Sequence, residues 1–246
     1  MQETQVYSLL MLGSSQCGKT LLNRVYNEKY NSLPTPTELA DCEIINFDIT
    51  NESLTQKMII TIWDLPSDET WNVLIESSIQ NIEGIFLIFD VTNTESFTYI
   101  KKMLTVIKQF HEIGTIPIVL IGNKIDLKDE RIVDNEDAIE LAHLNRMKYF
   151  ETSAKTTQGV EEAFLSLIHS VYLCNNRNGK QKLGNVMIRK IILNENKEQK
   201  RNYKSISDHN KELTTKGLKH LISGIENSEL AEQDSPSSRL TGSFVQ

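Results

Sequence analysis

The sequence predicts an α/β fold: a mostly parallel sheet with helices on both faces, followed by a polar C-terminal extension. Three observations carry this. Apolar runs alternate with segments spaced by threes and fours through residue 174. A glycine-rich turn, Gly13 to Thr20, separates the first run from the first helix. After Cys174 the chain breaks into Asn-Asn-Arg-Asn-Gly-Lys, a polar, turn-rich stretch.

The elements follow in order. Tyr7–Leu12 (Tyr-Ser-Leu-Leu-Met-Leu) reads as a strand and 18–28 as a helix. Ile44–Ile49 and Met58–Trp63 are two further strands, and a helix is expected over 70–80. Then come strand Ile85–Phe89, helix 95–111, strand Ile116–Ile121, helix 135–144 and strand Tyr149–Glu151. The last helix, 159–174, carries Val160, Ala163, Phe164, Leu167, Ile168, Val171 and Tyr172 along one stripe. We place a domain over 5–175 and a tail over 176–246, the tail largely disordered or holding short amphipathic helices. Ligands in such sheets sit beyond the carboxyl ends of the strands, so the loops there are the ones to read.

Composition limits the function. The chain has 246 residues, 39% hydrophobic and 24% charged, polar enough that part of it should stay unpacked. Its net charge of −7 argues against a nucleic-acid binder. The charge is uneven: −12 over residues 1–176, +8 over 177–220 and −3 over the last 26. No stretch approaches the ~20 apolar residues of a spanning helix. The start, Met1-Gln2-Glu3-Thr4, has no basic-then-apolar pattern, so no secretory leader is expected, nor myristoylation. Cys17, Cys42 and Cys174 have neither disulfide-framework nor metal spacing, which suits a reducing, intracellular setting.

Gly13-Ser14-Ser15-Gln16-Cys17-Gly18-Lys19-Thr20 fits G-x-x-x-x-G-K-[ST], with a strand before it and a helix after it. Glycines let successive N–H groups curl around one anion, and the helix N-terminus favours negative charge. Lys19 would neutralise β- and γ-phosphates, and the Thr20 hydroxyl would ligate Mg²⁺.

The loop after the fifth strand is Gly122-Asn123-Lys124-Ile125-Asp126. Guanine presents N1–H and N2–H₂ as adjacent donors, and the Asp126 carboxylate can accept both. Adenine offers neither, and a site built on such bonds rejects the analogue by roughly 10⁴-fold. The Lys124 stem could cover one face of the base while Asn123 braces the loop. After the sixth strand, Glu151-Thr152-Ser153-Ala154-Lys155 could bring a backbone N–H to guanine O6.

These segments, with Ile62-Trp63-Asp64, Phe89-Asp90-Val91-Thr92 and Glu95-Ser96-Phe97, resemble the Ras superfamily of small GTPases, most of all its Rab branch, over about residues 5–174. The resemblance implies a P-loop GTPase domain, a six-stranded sheet with one antiparallel edge strand and five helices. It implies a guanine-nucleotide switch in signalling or vesicle trafficking that binds GTP and GDP with Mg²⁺. Gly13, Ser14, Ser15, Gln16, Cys17, Gly18, Lys19, Thr20 and Leu21 would contact the phosphates; Asn123, Lys124, Asp126, Leu127, Ser153, Ala154 and Lys155 would contact the base. Thr35 and Thr37 are both candidates for the family's switch threonine. Tyr30, seven residues before Thr37, matches the aromatic that packs on guanine, which selects Thr37. Metal binding would fall to Thr20, Thr37 and, through water, Asp64. Lys19, Thr37 and Asp68 occupy the catalytic positions.

The sequence also departs from the family. The usual T-A-G-Q-E after the metal aspartate is Leu65-Pro66-Ser67-Asp68-Glu69. Ser67 replaces a flexible glycine, Pro66 fixes φ, and Asp68 replaces the glutamine that orients water. A carboxylate is shorter, cannot donate when ionised and repels the γ-phosphate, so slow hydrolysis is expected; a non-hydrolysing scaffold is the alternative. Effectors, exchange factors and GTPase-activating proteins would meet 31–49 and 65–80, on a monomer. The chain ends Thr241-Gly242-Ser243-Phe244-Val245-Gln246, without the prenylated cysteine of most Rab-like proteins. The basic 177–220 stretch offers a peripheral membrane contact from the cytoplasm, through Leu218, Leu221, Ile222 and Ile225 or through Val186–Leu193 as amphipathic helices. The other readings of that stretch are a solvated linker and a segment that packs back on the acidic domain.

Overall fold

The computed structural model describes residues 4–28, 41–51, 54–66, 72–176 and 187–190. The strands are β1 Gln5–Leu12, β2 Asp41–Asn51, β3 Leu54–Asp64, β4 Gly84–Asp90, β5 Ile118–Asn123, β6 Lys148–Glu151 and β7 Met187–Lys190. The helices are α1 Lys19–Tyr26, α2 Asn72–Ile79, α3 Thr94–Phe110, α4 Asn135–Leu144 and α5 Val160–Asn175. The sheet runs β6-β5-β4-β1-β3-β2-β7. β1, β3, β4, β5 and β6 are mutually parallel, and β2 is antiparallel to β3.

All six expected strands and five expected helices are present, in order. β5 starts at Ile118 rather than Ile116; Pro117 lacks an N–H and contributes only its carbonyl, which accepts from Ile85 N. A seventh strand, β7, pairs with the outer edge of β2. It corrects one expectation, the helix suggested over Val186–Leu193. An apolar run that short fits either period, and an available sheet edge selects the strand.

Strand alternation divides the core. Along β1, Leu9 and Met11 face one side and Leu10 and Leu12 the other. The first side packs against α1 and α5 through Leu22, Tyr26, Phe164, Leu167 and Ile168, with Tyr26 stacked on Phe164 at 4.3 Å. The second packs against α2, α3 and α4 through Ile75, Ile79, Phe97, Ile100 and Ala138. Trp63 is half-buried against this second side. Cys174 is half-buried at the end of α5. Among the described residues no helix is long and apolar enough to cross a membrane.

Local signals set the helix starts. The Asn93 side chain caps α3, accepting from Glu95 N at 2.8 Å and Ser96 N at 3.2 Å, and Glu95 lies in the first turn. α5 starts after Gly159, whose φ is 71°. A Cβ there would lie 2.2 Å from the Glu151 carbonyl oxygen, so the turn admits only glycine.

The chain goes to one side of β1 through β3 and to the other through β4, β5 and β6. Such a reversal opens a crevice beyond the strand ends. Leu12, Asp64, Asp90, Asn123 and Glu151 all end strands there.

Candidate functional site

The turn after β1 is tight. A Cβ on Gly13 would lie 2.2 Å from the Ile88 carbonyl oxygen. Gly18 has φ 100°, and a Cβ there would meet the Asn123 amide at 2.3 Å. Gln16 takes a left-handed φ of 62°, a conformation L-residues seldom adopt. The backbone there demands what a glycine would supply. Lys19, nearly buried, bends back to donate from Nζ to Gly13 O (2.9 Å) and Ser14 O (3.1 Å).

Thr20 Oγ1 donates to Asp64 Oδ2 at 2.5 Å, joining the start of α1 to the end of β3. Asp64 is 1% exposed, and burial pushes its carboxyl up from the ordinary carboxylate range. Its Oδ1 is buried without a hydrogen-bond partner. A buried carboxylate oxygen left so is costly. A hard divalent cation, with oxygen ligands and its own waters, would satisfy it beside the Thr20 hydroxyl. The donor set therefore fits Mg²⁺.

On the other side of the crevice, Asn123 ties three loops together. Its Nδ2 donates to Cys17 O at 2.9 Å, and its Oδ1 accepts from Thr152 Oγ1 at 3.1 Å and Ala154 N at 3.2 Å. The expected brace is thus also the link between the Gly13–Thr20 loop and the 151–155 loop. Asp126 Oδ1 accepts from Ser153 Oγ at 2.6 Å, and Lys155 Nζ lies 3.9 Å from its other oxygen. The N–H groups of Ser153 and Ala154 already donate within the protein, to Gln158 O at 3.0 Å and to Asn123. Leu21 and Leu127 are half-buried at the rims of the two loops.

The sequence reading assigned no role to Asp90. This residue ends β4, opposite Asn123 in the parallel register. Its Oδ2 is 2.6 Å from Lys124 Nζ, and its Oδ1 accepts from Thr92 N and Thr92 Oγ1 at 2.9 and 2.8 Å. Lys124 itself has a left-handed φ of 69°. An acid at the end of the strand beside the base loop was the available signal. Further out, Arg131 Nη2 donates to Glu151 Oε1 at 2.8 Å, and Tyr149 OH donates to the same oxygen at 3.0 Å.

The structure therefore brings together Gly13–Leu21, Asp64 and 123–127 with 153–155. Tyr30, Thr35, Thr37, Ser67, Asp68 and Glu69 lie outside the described residues, as do the 218–225 segment, residues 31–40 of the 31–49 surface and residues 67–71 of the 65–80 surface. Cys17, 1% exposed, has its thiol pushed up by burial, so it stays protonated and unreactive.

Residues 8–173 match the Ras family. Ras-related protein Rab-13 of Canis lupus familiaris is 32% identical over 181 residues, covering 73% of this chain and 85% of that protein. GTP-binding protein YPT1 of Saccharomyces cerevisiae is 32% identical over 167 residues, 68% of this chain and 79% of that protein. Human Ras-related protein Rab-8B is 32% identical over 173 residues, 70% and 81% respectively.

Proposed function

Because the chain belongs to the Ras family, with Rab proteins among its relatives, we propose that it is a guanine-nucleotide switch that binds GTP and GDP with Mg²⁺ and hydrolyses GTP slowly. One observation carries the reading. The Asn123 side chain bonds both the Gly13–Thr20 loop and the 151–155 loop, whose Ser153 in turn donates to Asp126. A phosphate cradle and a base-reading carboxylate are thereby fixed at one spacing, which suits a single nucleotide.

The roles follow from the chemistry of each group. Amides of 13–20 and the Lys19 ammonium would hold the β- and γ-phosphates. Asp126 would accept from both donors of the guanine edge. The Lys124 stem would lie on the base, its ammonium held by Asp90. Thr20, with Thr37, and Asp64 through water would hold Mg²⁺, which when bound neutralises developing charge on the phosphate oxygens. Asp68 stands where an amide would orient water, and an ionised carboxylate cannot donate to it. Pro66 limits the movement of the same loop. These substitutions equally favour a second reading, a non-hydrolysing, nucleotide-bound interaction module.

The wider assignment is of the same kind. The domain of 5–175 acts as a monomer in vesicle trafficking or signalling and meets effectors, exchange factors and GTPase-activating proteins through 31–49 and 65–80. It works in the cytoplasm, and basic residues of the 176–246 tail, within 177–220, bring it to an anionic membrane surface. Nucleic acid is not a partner.

Single-turnover hydrolysis on GTP-loaded protein tests the catalytic part. We expect a rate below the order of 10⁻⁴ s⁻¹ that characterises unassisted relatives, raised at least tenfold by Asp68→Gln. A parent rate at or above that level refutes slow hydrolysis. No detectable turnover in either protein favours the scaffold.

A further inference from the structure

β2 is an eleven-residue strand, bonded along one side to β3 over its whole length. Its other side closes the core sheet. An edge strand this long is a template for any extended chain, and proteins blunt such edges with charge or cover them. The two halves of β2 differ in charge. The half near the crevice, 41–46, carries two acids at alternate positions, Asp41 and Glu43. The far half, Phe47–Thr50, has one acid, Asp48, between Phe47 and Ile49, which are 0% and 2% exposed.

Residues of the same chain cover this far half. Residues 187–190 pair with it antiparallel, in the register Phe47↔Lys190, Asp48↔Arg189, Ile49↔Ile188 and Thr50↔Met187. The register sets a basic residue opposite the one acid and an aliphatic residue opposite an aliphatic one. Residue types so placed are favourable across strands in general. A one-residue slip breaks one match or the other: it places Asp48 opposite Ile188 in one direction and Ile49 opposite Arg189 in the other.

We infer that the outer edge of β2 at Phe47–Thr50 is a strand-addition site whose resident occupant is the chain's own 187–190 segment. Backbone hydrogen bonds supply the affinity and the Asp48 and Ile49 positions supply the register, the usual division of labour in strand addition. Only ten residues, 177–186, separate α5 and its following Asn176 from the segment. A tether that short gives a local concentration on the order of millimolar, so four paired residues suffice in cis where a free peptide would bind weakly. The inference does not depend on the nucleotide reading, because the site lies at the end of β2 away from the crevice.

The test uses the full chain with Ile188→Pro. Proline removes the N–H and fixes φ, so the segment can no longer pair. Hydrogen exchange at the 47–50 amides should rise at least tenfold, while exchange in β4 stays at the parent level and reports an intact core. Ile188→Val should behave as the parent. A labelled peptide with the sequence of residues 184–193 should bind the proline variant and not the parent. Unchanged exchange at 47–50 overturns the cis pairing. Equal peptide binding by parent and variant overturns occupancy of the site, and binding by neither overturns addition in trans. A variant that dimerises on sedimentation but ignores the peptide shows that the edge selects a second copy instead, which also overturns the assignment.

Discussion

On the base side of the crevice, Asn123 makes three hydrogen bonds to two other loops, and Asp126 already accepts one from Ser153. On the metal side, Asp64 has a bond from Thr20 on one oxygen, while its other oxygen is buried without a hydrogen-bond partner. The base side is therefore assembled by the protein itself. The metal side is left short of a partner among the described residues, and a metal ion would supply it. Substitutions on the base side should injure fold and affinity together, except where a residue touches only the base. Substitutions on the metal side should injure affinity alone.

The largest effect is expected from Asp126→Asn. The amide oxygen can still accept from Ser153 Oγ, so the loop should keep its shape. What is lost is the carboxylate that accepts from both guanine donors. The preference for GDP over ADP, measured by calorimetry, should fall from roughly 10⁴ towards unity. A variant that still rejects ADP would show that another group reads the base. Asn123→Ala comes next. It strands Cys17 O, Thr152 Oγ1 and Ala154 N, and should lower the stability of nucleotide-free protein by about 2–4 kcal/mol in urea. GDP and GTP affinity should drop in parallel. Normal stability with lost affinity would contradict a self-assembled base side.

Asp64→Asn makes the opposite claim on the metal side. Burial disfavours the charged form of this carboxyl, so removing the charge should leave metal-free stability unchanged or higher. Mg²⁺ affinity of the nucleotide complex, followed by magnesium titration of nucleotide release, should weaken roughly 10–100-fold. A clear loss of metal-free stability would mean that Asp64 serves the fold instead.

How much of this was legible beforehand depended on how local the signal was. The G-x-x-x-x-G-K-[ST] and N-K-x-D loops are contiguous, and so are the alternating periods of the strands and helices. These were readable in one pass. Asn123 was read as a brace for its own loop because its bond to Cys17 spans 106 residues, and no spacing rule reports that. The left-handed φ of Gln16 was hidden because the side chain gives no sign of the backbone demand. β7 is hidden for a related reason: whether 187–190 becomes a helix or a strand depends on β2 offering an edge. Asp90 is the most instructive omission. It sits in a segment that marks the family but shows no task in the sequence, because its partner lies in the loop after the neighbouring strand.

That partner makes Asp90 the subject of the smallest effect. If Asp90 acts by holding the Lys124 ammonium, so that the stem lies flat on the base, its influence on nucleotide must vanish once the ammonium is gone. Asp90→Asn retains an oxygen for Thr92 N and removes the charge facing Lys124. Lys124→Met keeps an apolar stem and removes the ammonium. Lys124 is about one-third exposed, so solvent weakens the pair, and the expected coupling is about 1 kcal/mol, a several-fold change in GDP release. In the parent background Asp90→Asn should speed release of GDP by that factor. In the Lys124→Met background the same change should do nothing. An equal acceleration in both backgrounds would assign Asp90 to the Thr92 turn alone. It would also remove a contact in which the base side depends on charge held by a neighbouring strand rather than on its own loops.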